Sequence, residues 1–281
     1  MCLAAFAIHA SARWPLVIAS NRDEFFDRPA LPLAEWRSSE GQTIISGRDA
    51  RAGGTWLGLT PGGRIALLTN AREQPAPQAV KSRGELTMRW LQGDMDAGQF
   101  MRQIDGTAYG GFNLVLGDVS TGQWHCLSNR PQSGGLHSQH MLDGIYGLSN
   151  AALDTPWPKT RALKTAMLEA LNTESEIPLW QALASRNRSA TGDLSVMGLP
   201  SAFEAALSSA FVYAPDQGYG TRCSTLLVAR AAGATHDKQN WHVQITEKTH
   251  AMGQTAPEST GAIQTHNLTL QGPNRALQFC Q

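Results

Sequence analysis

The chain has 281 residues, 42% of them hydrophobic, with 23 acidic and 23 basic side chains and a formal net charge of zero. That length can bury a substantial core as one large domain or two small ones, and the charge balance leaves no electrostatic footprint for nucleic acid or an anionic membrane. No stretch approaches the roughly 20 apolar residues of a membrane span, and the start of the chain lacks a basic leader and a cleavage pattern.

Cys2, Cys126, Cys223 and Cys280 are far apart, with no CxxC pair. This spacing fits a reducing compartment, so a soluble, cytoplasmic protein with a small-molecule partner is expected. The composition leaves the oligomeric state open.

Residues 3–8 and 15–20 are short apolar runs separated by six mixed residues, the pattern of a β-hairpin. A turn centred near residues 11 and 12 makes paired positions sum to about 23, so Cys2 faces residue 21, give or take two. Strand-rich sequence continues to residue 69, including Thr55-Trp56-Leu57-Gly58-Leu59 and Ile65-Ala66-Leu67-Leu68-Thr69, with Pro61-Gly62-Gly63 as the turn. This reads as an antiparallel meander. Helical patterning is predicted at 85–91 and 96–104, then strands at 112–117, 123–127 and 145–149. A second helical block carries Leu163, Met167 and Leu171 on one face and continues at 179–185 and 201–208. Strands return at 211–213, 224–229 and 241–246.

Helices and strands that alternate in groups predict an α+β protein of stacked, mostly antiparallel sheets covered by helices. A doubly wound fold would alternate them singly. After Ala251 the sequence turns Gln-, Thr- and Gly-rich with weak periodicity, so 1–281 reads as one domain with 251–281 as a C-terminal extension or loose tail.

Cys2 directly follows Met1, and removal of Met1, which a small second residue permits, would leave a thiol and a free α-amine on one residue. The reference pKa values are about 8.5 for the thiol and about 7.7–8.0 for the amine, so each supplies a usable fraction of the needed form near neutrality. The amine can take the thiol proton during attack on a carbonyl and return it to the leaving group. The hairpin brings Asn21-Arg22-Asp23-Glu24 alongside, where an Asp could orient the ammonium and an Arg could favour the thiolate. Taken singly, Cys2 is a small buried residue and the tetrad a solvated strand end. Together they point to nucleophilic chemistry.

Other motifs carry less. Gly147-Leu148-Ser149-Asn150-Ala151 falls one residue short of a nucleophile elbow, and Pro156 and Pro158 deny it the strand-to-helix context. His137 and His140 fall in a Gly- and Ser-rich stretch without a third ligand and read as a surface loop, so no metal site is expected. Gly53-Gly54 and Gly110-Gly111 read as tight turns or close backbone approaches, and Trp56 and Trp241 as core.

The opening Met1-Cys2, the cluster Asn21-Arg22-Asp23-Glu24, the segment Gly53-Gly54-Thr55-Trp56-Leu57-Gly58, Leu68-Thr69-Asn70 and Tyr219-Gly220-Thr221-Arg222 together resemble the NRDE family over about residues 1–250. That family is similar to the N-terminal nucleophile (Ntn) hydrolases, and the resemblance implies a four-layer αββα sandwich like that of the cysteine amidases. By the same resemblance Cys2 attacks, Asp23 binds its amine, Asn70 and Asn150 build the oxyanion hole, and Arg222 supports the thiolate. The amidases carry an Arg three residues before the Asp, where this chain has Ser20. Arg22, immediately before Asp23, points to the opposite strand face from it, which shifts the thiolate-supporting role to Arg222.

The implied activity is hydrolysis of a non-peptide amide or related acyl compound, with no cofactor. The family's links to haem movement and acyl-lipid metabolism make a non-catalytic carrier of haem or acyl-CoA the alternative, with haem as a ligand.

Overall fold

A computed structural model describes residues 2–71, 80–130, 135–188, 201–235, 238–251 and 261–273. The chain opens with the hairpin β1 (Cys2–Ile8) and β2 (Leu16–Phe25). It then crosses to a second sheet, laid down in sequence order as β3 (Ala30–Arg37), β4 (Thr43–Asp49), β5 (Leu57–Leu59) and β6 (Arg64–Asn70). Two helices, α1 (Gly84–Gln92) and α2 (Ala97–Arg102), interrupt this meander before β7 (Phe112–Asp118), β8 (Gln123–Ser128) and β9 (His137–His140) complete it.

The chain returns to the first sheet as β10 (Gly144–Leu148), which pairs with β1. The helices α3 (Pro158–Thr173), α4 (Ile177–Leu183) and α5 (Ser201–Leu207) follow. Then come β11 (Tyr213–Ala214), β12 (Tyr219–Thr235), β13 (Lys238–Thr249) and β14 (Ile263–Gln271). The first sheet runs β10-β1-β2-β12-β13-β14, with β11 on β12. All named pairings in both sheets are antiparallel.

Three apolar interfaces define four layers. Phe6, Ile8, Ile18, Leu67, Trp124, Trp241 and Ile245 fill the space between the sheets. On the outer side of the first sheet, Leu3, Ala5 and Ala19 meet Leu163, Met167 and Leu171 of α3 and Leu179 of α4. On the outer side of the second, Ala66, Leu68 and Leu114 meet Leu86 and Trp90 of α1 and Phe100 of α2. The fold is therefore the αββα sandwich that the resemblance implied. β1 is covered on both faces, which explains its unbroken apolar run where a half-buried strand would alternate.

The hairpin register runs from Cys2 opposite Arg22 to Ile8 opposite Leu16, so paired positions sum to 24. This is one residue from the central expectation, and in a strand one residue exchanges the two faces.

Several elements differ from the sequence reading. The meander of residues 2–69 is divided between two sheets. His137–His140 forms an edge strand on β8, because backbone pairing needs no apolar alternation. Ile263–Gln271 is a full strand on β13. Only Leu268 and Leu270 bring apolar side chains to the inter-sheet core there, which left little periodic signal. Residues 252–260 and 274–281, including Cys280, lie outside the described residues.

Close packing between the sheets leaves no space over Gly117, where a Cβ would lie 2.3 Å from the Trp124 ring. Gly117→Ala should destabilise the protein by about 1–3 kcal/mol through overpacking. Urea denaturation checks this, and an unchanged midpoint would contradict the ring-on-glycine packing.

Candidate active site

Cys2 begins β1, and its cross-strand partner is Arg22. Directly opposed residues share a sheet face, so the thiol and the guanidinium stand on the same side, in line with the inward-facing Ala4 and Phe6. Asn21 and Asp23 take the other face. β12 flanks β2 on its other side, where Thr221 pairs with Asp23 and Cys223 with Arg22, leaving Arg222 as the extra residue of a β-bulge.

A cavity of about 100 Å³ opens beside these strand ends. The first sheet supplies Cys2, Arg22, Asp23 and Glu24 to its wall. Asp49, Trp56 and Asn70 come from the second-sheet side, and Ser82, Arg83 and Gly84 from the start of α1. Gly54 lets these parts meet, since a Cβ there would lie 2.7 Å from the Gly84 carbonyl oxygen.

Arg22 organises this wall. Its side chain is only 6% exposed, its Nη2 lies 3.1 Å from Asp49 Oδ2, and its guanidinium stacks 4.2 Å from the Trp56 ring centroid. Trp56, expected in the core, is a partly buried pocket wall; Trp241 is core. Asp49 also accepts from Arg28 Nε at 2.6 Å and from the backbone N–H groups of Arg51 and Ala52 at 3.0 and 2.9 Å. Burial alone would raise the Asp49 carboxyl, but these hydrogen bonds and the charges of Arg28 and Arg22 outweigh it and hold it below the usual carboxylate range.

Burial pushes the Cys2 thiol above its usual range, and the charge of Asp23 pushes the same way. Arg22 and a backbone N–H of Asp23 directed at the sulfur pull it down. Asp23 is itself raised by burial, against the pull of Lys159, a 2.7 Å hydrogen bond from Thr221 Oγ1, and Arg22. Lys159, near the start of α3, is buried and donates from Nζ to the Leu207 carbonyl at 2.8 Å.

The other expected site residues are spread around this centre. Asn70 ends β6 on the cavity wall, and its carbonyl accepts from Asn150 Nδ2 at 2.7 Å. Asn150 thus stands behind Asn70, off the wall. Arg222 is also off the wall and spans the carbonyls of Phe25, Phe26 and Arg28 from Nη1 at 2.8, 3.0 and 3.2 Å. Asn21 clamps the helix layer, donating from Nδ2 to the carbonyls of Leu183 and Ala210, both at 2.8 Å. Its Oδ1 accepts from Ser224 Oγ, which also pairs with His250 Nε2. Glu24 lines the cavity and accepts from the Phe25 N–H at 2.9 Å. The hydroxyl of Ser149, in the elbow-like segment, donates to the Cys2 carbonyl at 2.9 Å.

Arg28, Asp49, Arg83 and Lys159 carry no signal in the sequence. Long-range pairing assembles them, and no local spacing marks them. Trp56 and Gly54 did carry a signal, within the Gly53–Gly58 motif. Among the described residues no three potential metal ligands cluster, and no helix is long and apolar enough to cross a membrane.

Fold and site together define an αββα protein with Cys2, at the start of its first strand, on the wall of a small polar cavity. The model of the Transport and Golgi organisation 2 family matches residues 1–251, and the chain belongs to that family. It is 33% identical over 248 residues to the Transport and Golgi organization protein 2 homolog of Bos taurus, covering 83% of this chain and 86% of the relative. The human homolog is 31% identical over 246 residues, with the same shares covered. Two solved structures are also similar. A Caenorhabditis elegans orthologue of N-acylethanolamine-hydrolyzing acid amidase has a TM-score of 0.49 at 9% identity, covering 81% of this chain and 92% of its own. The C2A mutant of conjugated bile acid hydrolase from Clostridium perfringens has a TM-score of 0.48 at 7% identity, covering 95% and 96%.

Two pH dependences follow from the geometry. The raised Cys2 thiol should alkylate with iodoacetamide through a midpoint above that of free cysteine. Asp23→Asn, by removing a negative charge, should lower that midpoint; rate–pH profiles of the Cys2 peptide read both. Burial first, and then the charges of Lys248 and Arg186, hold His250 at about 4 against an unfolded value of 6.5. The unfolded chain therefore binds the proton more tightly, and this contribution to stability is complete above pH 6.5 and lost as pH falls toward about 4. His250→Gln should flatten that part of the stability–pH curve in urea titrations.

Proposed function

We propose that this protein is an N-terminal cysteine hydrolase acting on a non-peptide amide or related acyl compound. The observation that carries the reading is the position of Cys2 on the cavity wall, across a strand pair from Arg22 and with the Asp23 N–H directed at its sulfur.

After loss of Met1, the α-amine of Cys2 takes the thiol proton as sulfur attacks the acyl carbon, and returns it to the departing amine as the carbon–nitrogen bond breaks. Water, deprotonated by the same amine, then cleaves the thioester and restores the thiol. Asp23 orients the ammonium. Asn70 donates to the oxyanion, and Asn150 positions Asn70 by holding its carbonyl. Arg22 is the cation facing the thiol, while Arg222 secures the loop that carries Arg28.

A carrier of haem or an acyl-lipid is the second reading, supported by the word transport in the relatives' names. The cavity of about 100 Å³ weighs against it, because pockets that enclose drug-sized ligands run to about 300–1,000 Å³. Cytoplasmic placement belongs to this proposal too, on the balanced charge and separated cysteines.

Intact mass should show loss of Met1 from the native protein. Cys2→Ala should then abolish amine release from a panel of N-acyl amides with the thermal midpoint unchanged, and Asn70→Ala should slow it by about 10²–10³. Undiminished turnover in Cys2→Ala would sink the hydrolase reading. A saturable Soret shift with haemin that survives Cys2→Ala would favour the carrier.

A further inference from the structure

We infer that Ser149 is a positioning residue for Cys2: its buried hydroxyl pins the Cys2 carbonyl, and the turn it belongs to fixes Cys2 and Asn70 relative to each other across the two sheets. The consequence for turnover rests on the hydrolase reading; the hold on Cys2 does not.

The ladder of β1 against β10 runs from Ile8 opposite Gly144 to Ala4 opposite Leu148, so Leu3 and Cys2 extend beyond it. Chain ends fray unless they are tied down. On this side the Ser149 hydroxyl takes over from the ladder, donating to the Cys2 carbonyl at 2.9 Å, closer than its other acceptor, Asn150 Oδ1 at 3.3 Å. Ser149 directly follows β10, so the strand that pairs with β1 also delivers the hydroxyl.

The next side chain in the turn, Asn150, donates from Nδ2 to the Asn70 carbonyl at 2.7 Å. Cys2 and Asn70 both line the cavity and belong to different sheets. Two consecutive side chains therefore hold the backbones of the proposed nucleophile and the proposed oxyanion donor.

The turn is itself anchored to the second sheet. Thr69 Oγ1 donates to the Ser149 carbonyl at 2.7 Å, and Asn113 Nδ2 to the Ala151 carbonyl at 2.9 Å. Thr69 and Asn113 oppose each other on β6 and β7, and Asn113 Nδ2 also lies 3.3 Å from Thr69 Oγ1. Thr69, Asn113, Ser149 and Asn150 are all buried. Apolar contact between the sheets is non-directional, whereas these hydrogen bonds fix distances and angles. Misplacement by about 1 Å can cost about 10²-fold in rate, so bonds of this kind set geometry on the scale that matters.

The test compares the native full chain, after loss of Met1, with Ser149→Ala. The Cys2 carbonyl and the Leu3 N–H share one peptide plane, so hydrogen exchange at Leu3, followed by NMR, reports the hold directly. Loss of one hydrogen bond should speed that exchange about tenfold. Iodoacetamide should also label the Cys2 peptide faster, while the amides of Ala5 and Ala7, deeper in β1, keep their rates; a general loss of stability would move them all. Amine release from the panel of N-acyl amides should fall about 10–10²-fold in kcat with KM little changed. Thr69→Val, which removes the anchor of the turn and keeps the side-chain shape, should give the same pattern at smaller size, and it decides if Ser149→Ala does not fold. Unchanged Leu3 exchange and Cys2 labelling in these variants would overturn the hold, whatever the native chain hydrolyses. Faster exchange with kcat intact would overturn the positioning role. A native chain that releases no amine, with Leu3 freed in Ser149→Ala, would uphold the hold on Cys2 and count against the hydrolase.

Discussion

The site depends on the register of β1 against β2. With Cys2 opposite Arg22, the thiol and the guanidinium share the inner face, while Asn21 and Asp23 turn toward the helix layer. A slip of one residue would carry the charged Arg22 into an apolar interface and tear Asn21 from the carbonyls of Leu183 and Ala210. Because both faces of β1 and most of β2 are buried, such a slip would disrupt two packed interfaces at once. Register here is held by packing on both sides, more than by the turn.

Burying a guanidinium requires a surrounding that compensates its lost hydration. Asp49, the Trp56 face and the nearby Glu24 supply it from two sheets and a loop. The cavity is therefore a product of the sandwich: the first sheet carries the nucleophile and the cation, and the second carries the counter-charge, the aromatic wall and Asn70. The bulge at Arg222 completes the arrangement. It keeps Thr221 opposite Asp23 and Cys223 opposite Arg22, and leaves Arg222 to bind the carbonyls of the loop after β2.

Much of this was legible in the residues. The apolar runs on either side of residues 9–14 are long enough to imply the hairpin, and the hairpin was enough to place the tetrad beside Cys2. What was missed lies at long sequence separation. Asp49 reaches Arg22 across 27 positions, and Lys159 acts on Asp23 from a helix in another layer. The edge strands β9 and β14 are held by backbone bonds and carry mainly polar residues, so alternation could not announce them. The aromatic character of Trp56 said core, and only a cation stacked on its ring makes it a wall.

By itself the sequence determined most of the elements outside the polar edge strands β9 and β14, the αββα class through its resemblance, and the meeting of Cys2 with Asn21-Arg22-Asp23-Glu24, because local alternation and a short turn govern those. Tertiary structure decided which member of the tetrad shares the thiol's face, and that Arg22 lines the cavity while Arg222 braces a loop. These outcomes turn on a register of one residue, a bulge and the approach of two sheets, and such distances arise only when separate parts of the chain pack against each other.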